Sequence, residues 1–120
     1  MKTILIVEDV ELNRDLLVQL LEDDYRLLVA VDGEAALESA RAEKPDLILM
    51  DLSLPRMDGW ESTRRLKADA ALAAIPVIAL SAHAMQSHED RARASGADDF
   101  LTKPLDDLLL FETIERHLGK

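Results

Sequence analysis

Apolar residues fall in short unbroken runs, separated by longer stretches in which they recur at helical spacing. Ile4-Leu5-Ile6-Val7 is the first run and predicts a buried strand that ends at Glu8-Asp9. From Val10 to Glu22 the pattern is helical. Asn13, Leu16, Leu17, Leu20 and Leu21 fall on one side, and Asp9 stands at the N-cap position. Tyr25 to Val31 predicts a strand closed by Asp32-Gly33, with Gly33 supplying the turn. Glu34 to Glu43 predicts a helix with Ala36, Leu37 and Ala40 inward, stopped at Lys44-Pro45 because proline biases its predecessor out of the helix. Leu47-Ile48-Leu49-Met50 then runs without a break into Asp51, the pattern of a strand buried on both faces.

Beyond Asp51, Leu54-Pro55 and Met57-Asp58-Gly59 turn the chain into a helix over Trp60 to Ala68. Ala70 to Ile75 is irregular, and Pro76 to Leu80 is another apolar strand, ending at Ser81. Ala84 to Ser95 is a charged helix with Gly96 as its C′ residue. Asp99 to Thr102 is a last short strand before Lys103-Pro104, and Leu105 to Leu118 is the final helix. Strands alternating with helices predict an α/β fold, a doubly wound parallel sheet with helices on both faces. All strands of such a sheet end at one rim, where open α/β folds bind ligands. Glu8-Asp9, Asp32, Asp51, Ser81 and Lys103 stand at the five strand ends and collect there.

The length, 120 residues, predicts one domain over 1–120. With 14 Lys and Arg against 24 Asp and Glu, the formal charge of −10 argues against nucleic acid or an anionic membrane as a bulk electrostatic partner. The absence of cysteine excludes disulfides and thiolate chemistry and fits a cytoplasmic location. The first apolar run is too short for a signal peptide or a membrane span. His83, His88 and His117 are scattered over loop and helix positions and predict no metal site.

If the first and third strands are neighbours, Glu8, Asp9 and Asp51 lie together. Two carboxylates about 5 Å apart at an effective dielectric near 20 repel by roughly 3 kcal/mol. Protonation or a cation relieves this, and oxygen ligands without Cys or adjacent His favour Mg²⁺ over zinc. A carboxylate nucleophile, a divalent cation, Lys103 and the Ser81 hydroxyl together suit phosphoryl transfer onto Asp51.

ILIVED at 4–9, DLILMDLSLPRMDG at 46–59, ALSA at 79–82 and DFLTKP at 99–104 resemble the receiver domain of bacterial two-component response regulators. The chain looks most like the stand-alone receivers of the DivK and CheY kind, because no effector domain follows Lys120. The resemblance implies a flavodoxin-like sheet of order 2-1-3-4-5 with five helices. It implies that Asp51 accepts a phosphoryl group from a histidine kinase or phosphotransfer protein. It implies a Mg²⁺ site made by Asp9, Glu8, Asp51 and the backbone carbonyl of Ser53. Lys103 and Ser81 would contact the phosphoryl group, Phe100 would be the switch aromatic, and Lys103-Pro104 would be a cis peptide. Ser53 and His83 hold the two positions that tune phosphate lifetime. Such a protein catalyses only its own phosphorylation and dephosphorylation and otherwise acts by binding.

Two surfaces are implied for partners. The exposed face of the first helix near Asn13, Arg14 and Leu17 would dock the kinase. On the last helix, Leu110, Phe111, Ile114 and Leu118 share one arc, and Leu105 and Leu109 point nearly opposite it. Leu105 and Leu109 either pack partly buried against the neighbouring helix or form a patch that would meet a downstream effector or a second copy through the fourth helix, fifth strand and fifth helix. The alternative is a phosphorylation-independent pseudo-receiver acting as a protein-binding module. A flavin mononucleotide site is disfavoured because Glu8-Asp9-Val10-Glu11 would repel a phosphate. A haloacid-dehalogenase-type phosphatase needs a second acid where Ser53 stands, and no Walker loop is present.

Overall fold

Five β-strands alternate with five α-helices in the computed structural model, which describes residues 1–54, 57–82 and 85–119. In chain order these are β1 (Thr3–Val7), α1 (Glu11–Leu21), β2 (Arg26–Ala30), α2 (Gly33–Glu43) and β3 (Leu47–Asp51). They continue with α3 (Gly59–Ala68), β4 (Val77–Ser81), α4 (Gln86–Ala94), β5 (Asp99–Thr102) and α5 (Asp107–Leu118). All neighbouring strands are parallel and lie in the order β2-β1-β3-β4-β5. The expected doubly wound sheet is therefore present, with β3 at its centre.

Side chains alternate across a strand, so each apolar run serves two cores. Ile4 and Ile6 of β1, Leu47 and Leu49 of β3 and Ile78 and Leu80 of β4 point to one side. There they meet Leu17 and Leu21 of α1 and Leu110 and Ile114 of α5. Leu5, Val7, Ile48, Met50 and Val77 point to the other side, against Ala36, Leu37 and Ala40 of α2 and Leu66 of α3. Every residue of β3 and β4 is buried. Burying one such Leu or Ile side chain stabilises by about 1.5–3 kcal/mol. The sheet centre, and with it the backbone under Asp51, is thus held from both faces. No helix among the described residues is long and apolar enough to cross a membrane.

Three local expectations are corrected. Asp9 does not cap α1: the N-cap is Val10, with no side-chain cap bond. The helix starts one residue later than Asp9 could serve. Gly33 is the first residue of α2 rather than a turn, and Asp32 caps the helix by accepting from Ala35 N–H at 2.8 Å. Glycine is needed there because a Cβ would lie 2.5 Å from the Met57 carbonyl oxygen, where the starts of α2 and α3 touch. Leu105 stands outside the final helix, which begins at Asp107 behind the cap Asp106. Two other expectations agree with the structure. Gly96 takes φ +106° just past α4, and Lys44 ends α2 in the left-handed region immediately before Pro45.

Candidate functional site

Parallel register brings the acids together. Val7 is level with Met50 of β3 and with Ala30 of β2, so the next residue, Glu8, emerges beside Asp51. One carboxylate oxygen from each of Glu8, Asp9 and Asp51 lies within 4.8 Å of the others. Glu8 is fully enclosed and Asp51 is buried, whereas Asp9 is exposed. Lys103 reaches in from the end of β5, with Nζ 2.8 Å from Glu8 Oε1 and 3.5 Å from Asp51 Oδ2. Its backbone N–H donates to the Ser81 carbonyl at 2.7 Å, which sets the lysine at the end of β4. The Lys103-Pro104 peptide is cis.

The second oxygens of Asp51 and Glu8 are anchored by the backbone. Ser53 N–H donates to Asp51 Oδ1 at 3.0 Å, and Val10 N–H donates to Glu8 Oε2 at 3.2 Å. Behind Asp51, the first turn of α3 presses on the strand end. A Cβ on Gly59 would lie 2.3 Å from the Asp51 carbonyl oxygen and 2.7 Å from Leu52 Cα. Glycine at 59 is what allows α3 to start so close to the rim.

Burial is the largest influence on Glu8 and lifts its carboxyl above the ordinary value. Asp51 adds to the rise, and Lys103 and Val10 N–H pull it back. Burial alone would lower the Lys103 amine, but the bond to Glu8 and the negative charge of Asp51 outweigh it and hold the amine above its ordinary value. Among the described residues the site thus gathers three carboxyl groups around one ammonium. This excess of hard oxygen donors fits a small dication. Magnesium binds through one or two carboxylates and keeps several waters, so an exposed Asp9 beside a buried Asp51 suits it.

Residues 4–115 match the family model of the response regulator receiver domain. The chain belongs to that family. Polar-differentiation response regulator DivK of Brucella anthropi is 44% identical over 119 residues, covering 98% of this chain and 97% of its own. Among solved structures, a receiver domain of a Pseudomonas aeruginosa sensor histidine kinase superposes with a TM-score of 0.92 at 34% identity. It covers 99% of this chain and 98% of its own, and has a magnesium ion coordinated in its active-site cleft. Vibrio cholerae chemotaxis protein CheY4 gives a TM-score of 0.91 at 27% identity over 97% of this chain and 98% of its own. Receiver domains as a family bind Mg²⁺ at an acidic pocket, switch on phosphorylation and interact with histidine kinases and effectors.

Within this receiver, Ser81 is buried on β4, one step beyond the pairing of Leu80 with Asp51. Phe100 is half-buried and packs with Trp60 against Leu52, Ala79, Ala92 and Ala97, a cluster one residue from Asp51 and two from Ser81. Ser53 is exposed, and its N–H is committed to Asp51. His83 lies outside the described residues. His88 packs against Trp60, with ring centroids 5.6 Å apart, and His117 lies 3.2 Å from Asp99.

The structure places the residues expected on the docking faces differently in part. Leu17 is only 4% exposed, because it faces the sheet with Leu21 one turn on. Leu16, assigned from spacing to the inner side, is 51% exposed, and Leu12 is exposed with it. Periodicity locates a stripe, but the packing of α1 against the sheet decides its edges. Asn13 and Leu16 line a cavity of about 560 Å³ between α1 and the β5–α5 connection, together with Glu8 and Lys103. Leu105 lines the same cavity and packs half-buried against the core beneath, so it is not part of an outward α5 patch. Leu109 is 48% exposed, and Leu108 beside it, which spacing did not single out, is more exposed still.

Proposed function

We propose that this chain, as one receiver domain over 1–120, takes a phosphoryl group from a phosphohistidine on a histidine kinase or phosphotransfer protein onto Asp51. The observation that carries this is the convergence of Asp51, Glu8 and Asp9 within 4.8 Å, with Lys103 Nζ 3.5 Å from Asp51. In the transfer, a bond forms between an Asp51 carboxylate oxygen and phosphorus as the phosphorus–nitrogen bond breaks. Ser53 N–H steadies Oδ1 and leaves Oδ2 facing the Lys103 amine. That amine neutralises charge on the incoming phosphoryl oxygens, in a pocket where burial strengthens the interaction. Glu8, Asp9, Asp51 and the Ser53 carbonyl would hold Mg²⁺, which supplies further positive charge to the same oxygens.

The product phosphate then draws the Ser81 hydroxyl, and Phe100, packed in the adjoining cluster, changes its burial in response. Phosphorylation so biases the face of α4, β5 and α5 toward a downstream effector. Leu109 contributes to that face, and Asn13, Arg14 and Leu16 to the kinase side. His83 and Ser53 set the lifetime of the phosphate. The chain works in the cytoplasm and acts on no substrate beyond its own aspartyl phosphate.

Beryllofluoride with Mg²⁺ mimics the phosphoryl group and tests the assignment. Saturable binding in the wild type, abolished in Asp51→Asn, is expected. Binding that survives the substitution would overturn Asp51 as acceptor, and no binding in the wild type would favour a pseudo-receiver that works by contact alone.

A further inference from the structure

Arg14 of α1 turns back over the rim. Its Nη1 donates to the carbonyl oxygen of Glu8 at 3.1 Å and to that of Asp9 at 3.4 Å. Its backbone N–H donates to the Val10 carbonyl at 3.0 Å in the first turn of the helix. One residue therefore holds the carbonyls of three consecutive residues, the ones that carry the chain from β1 into α1.

The two acids of this turn are not equally secured. Glu8 is fixed at both carboxylate oxygens, by Lys103 and by Val10 N–H. The Asp9 carboxylate is exposed, caps no helix, and has no hydrogen bond among the described residues. Its aim toward Asp51 depends on its backbone, and Arg14 holds the carbonyl of that backbone.

We propose that Arg14 is a positioning residue for the cation. By holding the Glu8 and Asp9 carbonyls to the α1 side, it keeps both carboxylates turned toward Asp51. The proposal rests on the reading of the acidic cluster as a Mg²⁺ centre. Its sign is distinctive. A guanidinium near three carboxylates repels a dication, so a purely electrostatic role predicts that removing Arg14 tightens Mg²⁺ binding. Loss of positioning predicts weaker binding, because partners that orient metal ligands typically contribute about 10–100-fold in affinity.

Calorimetric titration of Mg²⁺ into the full chain at constant ionic strength tests this. Arg14→Ala is expected to raise the Kd about tenfold. Arg14→Met, which keeps the aliphatic stem and drops the donors, is expected to do the same. Phosphorylation by a small-molecule phosphoramidate should return to the wild-type rate at saturating Mg²⁺. In magnesium-free protein the Val10 amide should exchange faster with solvent while the amides of Leu5 and Leu49 keep their protection, a pattern that general loosening would not give. An unchanged or lower Kd in both variants overturns the proposal, as does an effect confined to transfer from a protein kinase. If the wild type itself binds no Mg²⁺, the reading of the centre fails, and this proposal with it.

Discussion

Lys103 and Glu8, 95 positions apart in the chain, are joined by a 2.8 Å hydrogen bond from Nζ to Oε1. Their strands, β5 and β1, are not neighbours, since β3 and β4 lie between them. The amine therefore crosses the rim above Asp51 and is shared by two acids. On the proposed function, a phosphoryl group on Asp51 would compete with Glu8 for the same cation.

Removing that amine should unbalance Glu8. Lys103→Met leaves an enclosed carboxylate unpaired and is expected to cost about 3 kcal/mol at neutral pH. Burial already holds the Glu8 carboxyl above its ordinary value, and the loss of Lys103 raises it further. A raised carboxyl binds more protons in the folded state, so stability falls as pH rises above the unfolded value of 4.5. The deficit of the variant should therefore shrink toward pH 5. Urea unfolding at pH 5 and pH 7.5 measures it, and an equal deficit at both would count against the account.

Gly59 and Gly33 offer a paired test. Both substitutions to Ala overpack a tight contact and should destabilise by about 1–3 kcal/mol. The Cβ at 59 strikes the Asp51 carbonyl oxygen, whereas that at 33 strikes the Met57 carbonyl oxygen. Gly59→Ala should thus weaken beryllofluoride binding severalfold more than Gly33→Ala at matched loss of stability. Fluorine NMR titration of both variants reads the difference.

Asp51→Asn removes one of three clustered carboxylates. Relief of repulsion from Glu8 and Asp9 is expected to exceed the lost attraction to Lys103, the cation that contacts Asp51 among the described residues. In magnesium-free buffer the variant should be more stable by about 1 kcal/mol. Added Mg²⁺ should stabilise the wild type more than the variant. Thermal unfolding with and without the ion checks both expectations, and a less stable variant in chelator would contradict them.

Asp99 predicts the acid limb of the stability curve away from the rim. Burial would raise its carboxyl, but Arg116, His117 and the Phe100 N–H outweigh burial and hold it below its ordinary value. A carboxyl lowered on folding contributes stability above its unfolded value of 3.8, and that contribution is lost as pH falls through the folded one. Asp99→Asn should therefore flatten the dependence of the urea midpoint on pH below about 4. A slope identical to the wild type would show that Asp99 does not supply it.

Particular residues show how far the sequence could be read. The apolar run into Asp51 predicts a central strand with an acid at its end, and β3 is that strand. Ala36, Leu37 and Ala40 predict the inner face of α2 because small and apolar residues share one stripe, and all three are buried. Leu16 and Leu17 are adjacent and equally apolar, so periodicity could not choose between them. Gly33 and Gly59 look like turn residues in sequence. Their real constraint is a carbonyl oxygen more than 20 positions away for Gly33, but only eight away for Gly59. Arg14 reads in sequence as part of an exposed docking face, and nothing in its spacing indicates that its side chain folds back on the carbonyls of Glu8 and Asp9.

By itself the sequence determined the alternation of strands and helices and the placing of acids, a hydroxyl and an amine at strand ends. Those follow from local periodicity and from the common direction of parallel strands. Tertiary structure decided which of those groups touch. It enclosed Glu8 and left Asp9 open, set Lys103 over Asp51, turned Leu17 inward, and aimed Arg14 at the acidic turn. Such outcomes depend on register and on the approach of helices to the sheet, distances that no stretch of chain contains on its own.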